Sequence, residues 1–383
     1  MQKIIAFLMT IMMFLFPRLN IPENDFDKEA MTTDYTYVFV HGLSGWGEYA
    51  AYYKAFPYWG MLGGDLMTYL RARGIDAHGA SVSPTASAWD RACELYAQLT
   101  GTKTDYGKEH SERCGHDRYG TDYTGRALID SWSAEDKINI LGHSFGGATV
   151  LMLVRLMDEG SEAERAVTDE NDISPLFTGG KGDWIYSVTT LSAPINGTTA
   201  YEVKDEENKL SDVGVTTTFF NTATTPPMDG RVEEDCAAYD MTIDNALKLA
   251  DTFKALPGVY YFSIPTCLTD EDENGNQVPD TARMESMFTV SSREMGCFTG
   301  YTAGGYYVDE SWQPNDGLVN TISARAPFNA PQKDFDENDI QPGIWNVMPT
   351  YRGDHMSLQG DMLKTNNVRQ LYADLITMIN GIK

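Results

Sequence analysis

Apolar and polar positions alternate along the chain in two ways. Short runs rich in β-branched and aromatic residues at 35–40, 75–82, 138–141, 184–191 and 256–264 read as buried strands. Helical spacing of apolar positions marks 65–74, closed by Gly74, as well as 88–99 and 150–156. Strands alternating with longer helices predict βα units, hence an α/β fold with a mainly parallel sheet. Two stretches break the rhythm. Residues 100–125 read as a loop rich in Gly, His, Asp and Tyr, and residues 196–240 are polar, acidic and Thr-rich, with Pro226-Pro227 and the aromatic pair Phe219-Phe220. We assign 197–239 as a lid or cap insertion, the alternative being an ordinary surface insertion.

Composition narrows the picture. A chain of 383 residues with 42% hydrophobic content supports one large domain with insertions, spanning 35–383. A formal charge of −26 argues against nucleic acid or an anionic membrane surface as partner, because both would repel it. No obligate protein partner is evident. At the N-terminus, Lys3 precedes an apolar run from Ile4 to Phe16 that is closed by Pro17 and Arg18. This run is too short to span a bilayer, so 1–20 reads as a signal peptide and the protein as secreted, with 21–34 a flexible lead-in. An uncleaved anchor or a buried N-terminal helix is the competing reading. Five scattered cysteines, an odd number, exclude a disulfide scaffold; Cys267 and Cys297 are the candidate pair for a single bridge.

Chemistry concentrates at 137–158. Gly142-His143-Ser144-Phe145-Gly146 fits G-x-S-x-G between a predicted strand and a predicted helix, which is the setting that exposes a nucleophilic serine hydroxyl. That hydroxyl needs a base, and the base needs an orienting acid. With this motif the chain order is Ser, then Asp or Glu, then His. Of the six histidines, at 41, 78, 110, 116, 143 and 355, only His355 follows Ser144, so it is the base. Asp316, in the tight turn Pro314-Asn315-Asp316-Gly317, is the leading acid; Asp309 and Glu310 are runners-up, and Asp354 is too close to the base in sequence to orient it. Upstream, His41-Gly42-Leu43 ends the first strand with bare backbone, so that the Leu43 N–H is placed to meet a reacting carbonyl oxygen while His41 anchors the loop.

A second group holds His110 and His116, with Cys114 between them and Asp90 upstream. Two imidazoles and carboxylates suit tetrahedral zinc, with Cys114 an equal candidate ligand and two surface histidines the plain alternative. Residues 270–275, Asp-Glu-Asp-Glu-Asn-Gly, imitate the start of a calcium loop, but Thr281 stands where a bidentate Glu belongs. We read them as a solvated acidic turn.

These residues resemble the thermoalkalophilic zinc-containing true lipases of Bacillus-type bacteria and their staphylococcal relatives. The resemblance is carried by VHGLSGWGE at 40–48, YWG at 58–60, WDRACELYAQLTG at 89–101, DYGKEHSERCGHDRYG at 105–120, GHSFGG at 142–147, SPLFTGG at 174–180, SVTTLSAPINGTT at 187–199, NDGLVNT at 315–321 and GDH at 353–355. It implies an α/β-hydrolase fold and secreted hydrolysis of acylglycerols at a lipid–water interface. It further implies a triad of Ser144, Asp316 and His355, and an oxyanion hole of the Leu43 and Phe145 backbone N–H groups. The implied structural zinc falls on Asp90, His110, His116 and Asp240. Two departures stand out. The implied calcium site has an acidic residue two positions after the base, where this chain has Ser357, and no Asp-Pro pair follows. The stretch between Thr199 and Asp240 is also shorter than the lid region of such lipases, which favours a carboxylesterase of short soluble esters as the alternative. A catalytically silent binding protein on the same fold is the third reading.

Overall fold

The computed structural model describes residues 31, 34–203, 232, 234–361 and 368–382. The signal-peptide reading of 1–20, most of the lead-in and residues 204–231 and 233 of the assigned lid lie outside them. From the lead-in, Met31 is buried.

Among the described residues the core is a seven-stranded parallel sheet. Its strands are β1 (Thr36–Val40), β2 (Ala77–Ala80), β3 (Ile138–His143), β4 (Ile185–Leu191), β5 (Tyr260–Ile264), β6 (Gln332–Asp334) and β7 (Trp345–Val347), arranged in the order β6-β7-β5-β4-β3-β1-β2. β3 lies centrally and is buried at every position, as a strand covered on both faces must be. The helices used below are α1 (Leu66–Arg71), α2 (Ala88–Thr100), α3 (Lys108–Cys114), α4 (Gly146–Glu159) and α5 (Arg369–Asn380).

Two apolar layers cover the sheet. On one face, α2 and α4 pack against Val38, Val40, Ile138, Ile140 and Val188. The other face holds Tyr37, Phe39 and Leu141 against α1, α5 and the Trp59 loop. Successive residues of β1 and β3 thus point to opposite faces with both faces apolar, which explains the unbroken hydrophobic runs in the sequence. Helix ends follow local chemistry. Ser87 caps α2 by accepting from Asp90 N, and Gly101 closes the helix in the left-handed region at φ 63°.

The predicted strands and helices appear, most of them shorter than expected: the strand read at 75–82 forms at Ala77–Ala80, and the helix read at 65–74 at Leu66–Arg71. The stretch read as a loop at 100–125 instead contains α3 and a two-stranded ribbon of Lys103–Asp105 with Tyr119–Asp122. β6, β7 and α5 had not been predicted. The acidic turn at 270–275 is the tip of a hairpin, where Asp272 Oδ1 accepts from Asn274 N and Asn276 N. All five cysteines are free thiols, so the candidate Cys267–Cys297 bridge is not formed.

The turn from β3 to α4 depends on the absence of side chains. A Cβ at Gly142 would sit 2.3 Å from Gly146 O, and one at Gly146 would sit 2.3 Å from Val40 O. Both obstacles are backbone and cannot yield cheaply. Gly142→Ala is expected to lower unfolding free energy by about 2–3 kcal/mol in urea titrations. Gly258→Ala, which meets nothing within 4 Å, should change it by less than about 0.5 kcal/mol.

Candidate active site

Ser144 stands where β3 gives way to α4, with φ at 54°. A non-glycine residue in this region costs about 1–3 kcal/mol and persists only where its surroundings impose it. Here the backbone is held on both sides: Ser144 N donates to Leu191 O (2.8 Å), and Gly147 N donates to Ser144 O (2.9 Å). The strained turn presents the hydroxyl to His355, whose Nε2 lies 2.9 Å from Ser144 Oγ. His355 Nδ1 lies 3.0 Å from Asp316 Oδ2. The three side chains read from the sequence are thus brought into one line.

The turn at 314–317 fixes Asp316. Its Oδ1 accepts from Leu318 N (3.0 Å) and Val319 N (2.8 Å), and its Oδ2 also accepts from Thr266 Oγ1 (2.6 Å). Burial would favour the neutral acid, yet the His355 imidazole and these donors hold the carboxyl below its usual range. An ionised Asp316 accepts from His355 Nδ1–H, which leaves Nε2 as the acceptor for the serine proton. The same turn grips the base through its backbone, as His355 N donates to Asp316 O (2.9 Å). Asp309 is exposed and caps its own turn through Ser311 N, Glu310 is exposed, and the Asp354 carboxylate turns away to Glu285 N and Met356 N.

Leu43 lines the same cavity as Ser144 and His355, together with Trp46, Met287, Phe288 and Val319. Phe145 caps the N-terminus of α4, where backbone N–H groups lack intrahelical partners. The loop bearing Leu43 is clamped by Arg91, which is fully buried. Arg91 Nη2 donates to His41 O (2.5 Å), Nη1 to Ser83 O (3.2 Å) and Gly42 O (3.4 Å), and Nε to Thr149 Oγ1 (2.8 Å). Sequence reasoning had passed over this arginine, though its place one residue after Asp90 on a buried helix face is unusual for a charge. His41 has the anchoring place expected of it, with Nδ1 on Gly42 O (2.8 Å) and Nε2 accepting from Val82 N (3.2 Å).

The second group lies between α2, α3 and the C-terminal end of the assigned lid, which supplies Asp235. Asp90 Oδ1 is 3.1 Å from His110 Nε2 and 3.7 Å from His116 Nε2. The fourth member is Asp235, not Asp240. Asp235 Oδ1 is 3.5 Å from His110 Nε2, and Oδ2 is 3.3 Å from His116 Nε2. Asp240 instead caps α2, with Oδ2 accepting from Ala88 N (2.7 Å), because the short helix Ala237–Asp240 carries it one turn beyond the cluster. Cys114 Sγ lies 3.8 Å from His110 Nδ1 and within 4.8 Å of an Asp235 carboxylate oxygen, so it borders the same group.

Donor atoms about 2.0–2.1 Å from a tetrahedral ion lie roughly 3.3 Å from each other. The four distances scatter around that value, so Asp90, His110, His116 and Asp235 fit a metal of this kind. His116 Nε2 is buried with no well-aligned hydrogen bond of its own. Burial opposes a charge on His110, but the Asp235 and Asp90 carboxylates prevail and raise its pKa to about 11. The carboxylate pair thus calls for positive charge. Trp89 stacks on His110 at 5.1 Å and Tyr106 meets His116 edge-on at 5.3 Å, which shields the group from water.

Comparison with known proteins gives a consistent outcome. Residues 33–220 and 231–381 match the family described as lipase-like, C-terminal domain. The chain is 33% identical to a lipase of Staphylococcus hyicus over 90% of its own length and 56% of that protein, and 32% identical to lipase 2 of Staphylococcus aureus over 91% and 53%. It therefore spans about half the length of the curated relatives it matches. Among solved structures, EstA from Clostridium botulinum superposes with a TM-score of 0.79 at 32% identity, covering 97% of this chain and 93% of that one. The S. hyicus lipase crystal structure gives 0.76 at 30%, covering 94% and 98%. With the sheet, the serine turn and these matches agreeing, the chain belongs to the lipase-like family and has its α/β-hydrolase fold.

Proposed function

We propose that the protein is a lipase that hydrolyses the ester bonds of acylglycerols through an acyl-enzyme. The observation that carries this reading is the hydrogen-bonded line Ser144 Oγ, His355 Nε2, His355 Nδ1, Asp316 Oδ2 at the wall of an apolar cavity. Ser144 Oγ attacks the ester carbonyl while His355 Nε2 takes its proton. Asp316 holds the imidazole tautomer and stabilises the imidazolium. The Leu43 and Phe145 N–H groups receive the developing oxyanion, each worth about 3 kcal/mol of transition-state stabilisation. His355 then returns its proton to the departing alcohol, and a water activated by the same nitrogen releases the acid. The apolar lining suits an acyl chain, and the lipases among the relatives support the substrate class. Export from the cell belongs to the same proposal, supported by the charge and apolar run at 1–20.

Asp90, His110, His116 and Asp235 would hold a structural zinc, all four positions being filled by protein. Bound there, it would tie the α2–α3 region to the C-terminal end of the assigned lid. For calcium, Ser357 remains a neutral residue at the position the resemblance reserves for an acid, and its Oγ donates to Asp354 Oδ1 (3.0 Å).

Three measurements test these statements. Ser144→Ala should reduce turnover of p-nitrophenyl butyrate by about 10⁴-fold or more, and Asp316→Asn by about 10⁴-fold; wild-type turnover in Ser144→Ala would defeat the assignment. Rates on tributyrin and triolein emulsions, above and below substrate solubility, separate a lipase from an esterase of short soluble esters. The esterase reading wins if activity is confined to dissolved short-chain substrate. Elemental analysis should give zinc near one equivalent, lost in Asp235→Asn and kept in Asp240→Asn; the reverse pattern would restore Asp240 as the ligand.

A further inference from the structure

A buried polar chain runs from the loop after β1 to the backbone of the base. Gly42 N lies 3.0 Å from Tyr58 Oη, Tyr58 Oη lies 2.7 Å from His143 Nδ1, and His143 Nε2 lies 2.9 Å from His355 O. Chemistry sets the direction of each bond. The His355 carbonyl only accepts, so His143 Nε2 carries the ring proton. Burial, and next the neighbouring His355, lower the His143 pKa to about 3, so its imidazole is neutral and Nδ1 is bare. The Tyr58 hydroxyl must therefore donate to Nδ1, and its oxygen accepts from Gly42 N–H.

Both ends of this chain are parts of the proposed reaction centre. Gly42 precedes Leu43, and a Cβ at Gly42 would stand 3.1 Å from Ser144 Oγ, so the loop abuts the nucleophile. At the other end His355 is held through its carbonyl by His143 and through its N–H by Asp316 O. His143 itself is the residue before Ser144. One neutral ring thus joins the oxyanion loop, the nucleophile strand and the base loop. Arg91 grips the carbonyl side of the same Gly42 peptide region, and Tyr58 grips its N–H side.

We propose that Tyr58 and His143, which also border the cavity, are positioning residues that act as one unit through their hydrogen bonds, setting the oxyanion loop against His355. The proposal rests on the ester-hydrolase reading above. A bland alternative is that the two side chains merely satisfy buried backbone groups. In that case their loss would reduce the folded fraction but leave each folded site fully active.

The test uses Tyr58→Phe, His143→Gln and the double variant in the full chain. Turnover of p-nitrophenyl butyrate is divided by the sites that a fluorophosphonate labels at completion. Tyr58→Phe should lower kcat per labelled site by about tenfold, less than the loss of an oxyanion donor, with KM within about twofold of wild type. The double variant should be no worse than the worse single one, as expected of coupled residues. An unchanged kcat per labelled site in Tyr58→Phe, or multiplied losses in the double variant, overturns the proposal. If Tyr58→Phe does not fold, His143→Gln decides by the same kcat criterion. Activity surviving in Ser144→Ala would instead overturn the ester-hydrolase reading, so the two failures are distinguishable.

Discussion

Everything at this site depends on one close approach of backbone to backbone. β3 and α4 meet so tightly at Ser144 that Gly142 and Gly146 have no room for a Cβ, and the serine between them is forced to φ 54°. Neighbouring hydrogen bonds to Leu191 and from Gly147 maintain that conformation. A more relaxed turn would save about 1–3 kcal/mol but would withdraw the hydroxyl from His355. The central position of β3 makes the strain sustainable, since strands on both sides over-determine its end.

The surroundings repeat this principle of fixing through buried polar contacts. Asp316 is held by two backbone donors and a threonine, Arg91 by three carbonyls and a hydroxyl, and the metal-type cluster by two aromatic rings. A lone buried charge would be expensive, so each of these groups is embedded in partners. The result is rigid placement of chemistry delivered by segments far apart in sequence.

Much of this was legible in the residues. β1, β3 and β4 are uninterrupted apolar runs, and β3 leads straight into a glycine-flanked serine, so both fold class and nucleophile have strong local signatures. The base followed from there being a single histidine after Ser144. Where local pattern is weak, reading failed. β6 and β7 have three residues each, too few for a periodicity to register. α3 starts after a glycine without a side-chain cap and borrows the Glu164 carboxylate from a distant segment as its N-terminal partner, which no local rule reveals. Asp235 and Asp240 differ by little in composition and context, and only the short helix between them decides which faces the histidines. Arg91 was missed because a charge within an amphipathic helix looks like surface until its carbonyl partners are known.

The hydrogen bond between Ser144 and His355 joins residues 211 positions apart. Such a contact forms late, because loop closure over that span precedes any gain from it. During synthesis, Ser144 and the loop after β1 are made well before His355. The wall of the cavity is late as well, since Met287, Phe288, Leu318 and Val319 line it beside Leu43 and Ser144. The order of the sequence thus puts the joining of Ser144, His355 and Asp316 after the last parallel strand of the sheet has been made.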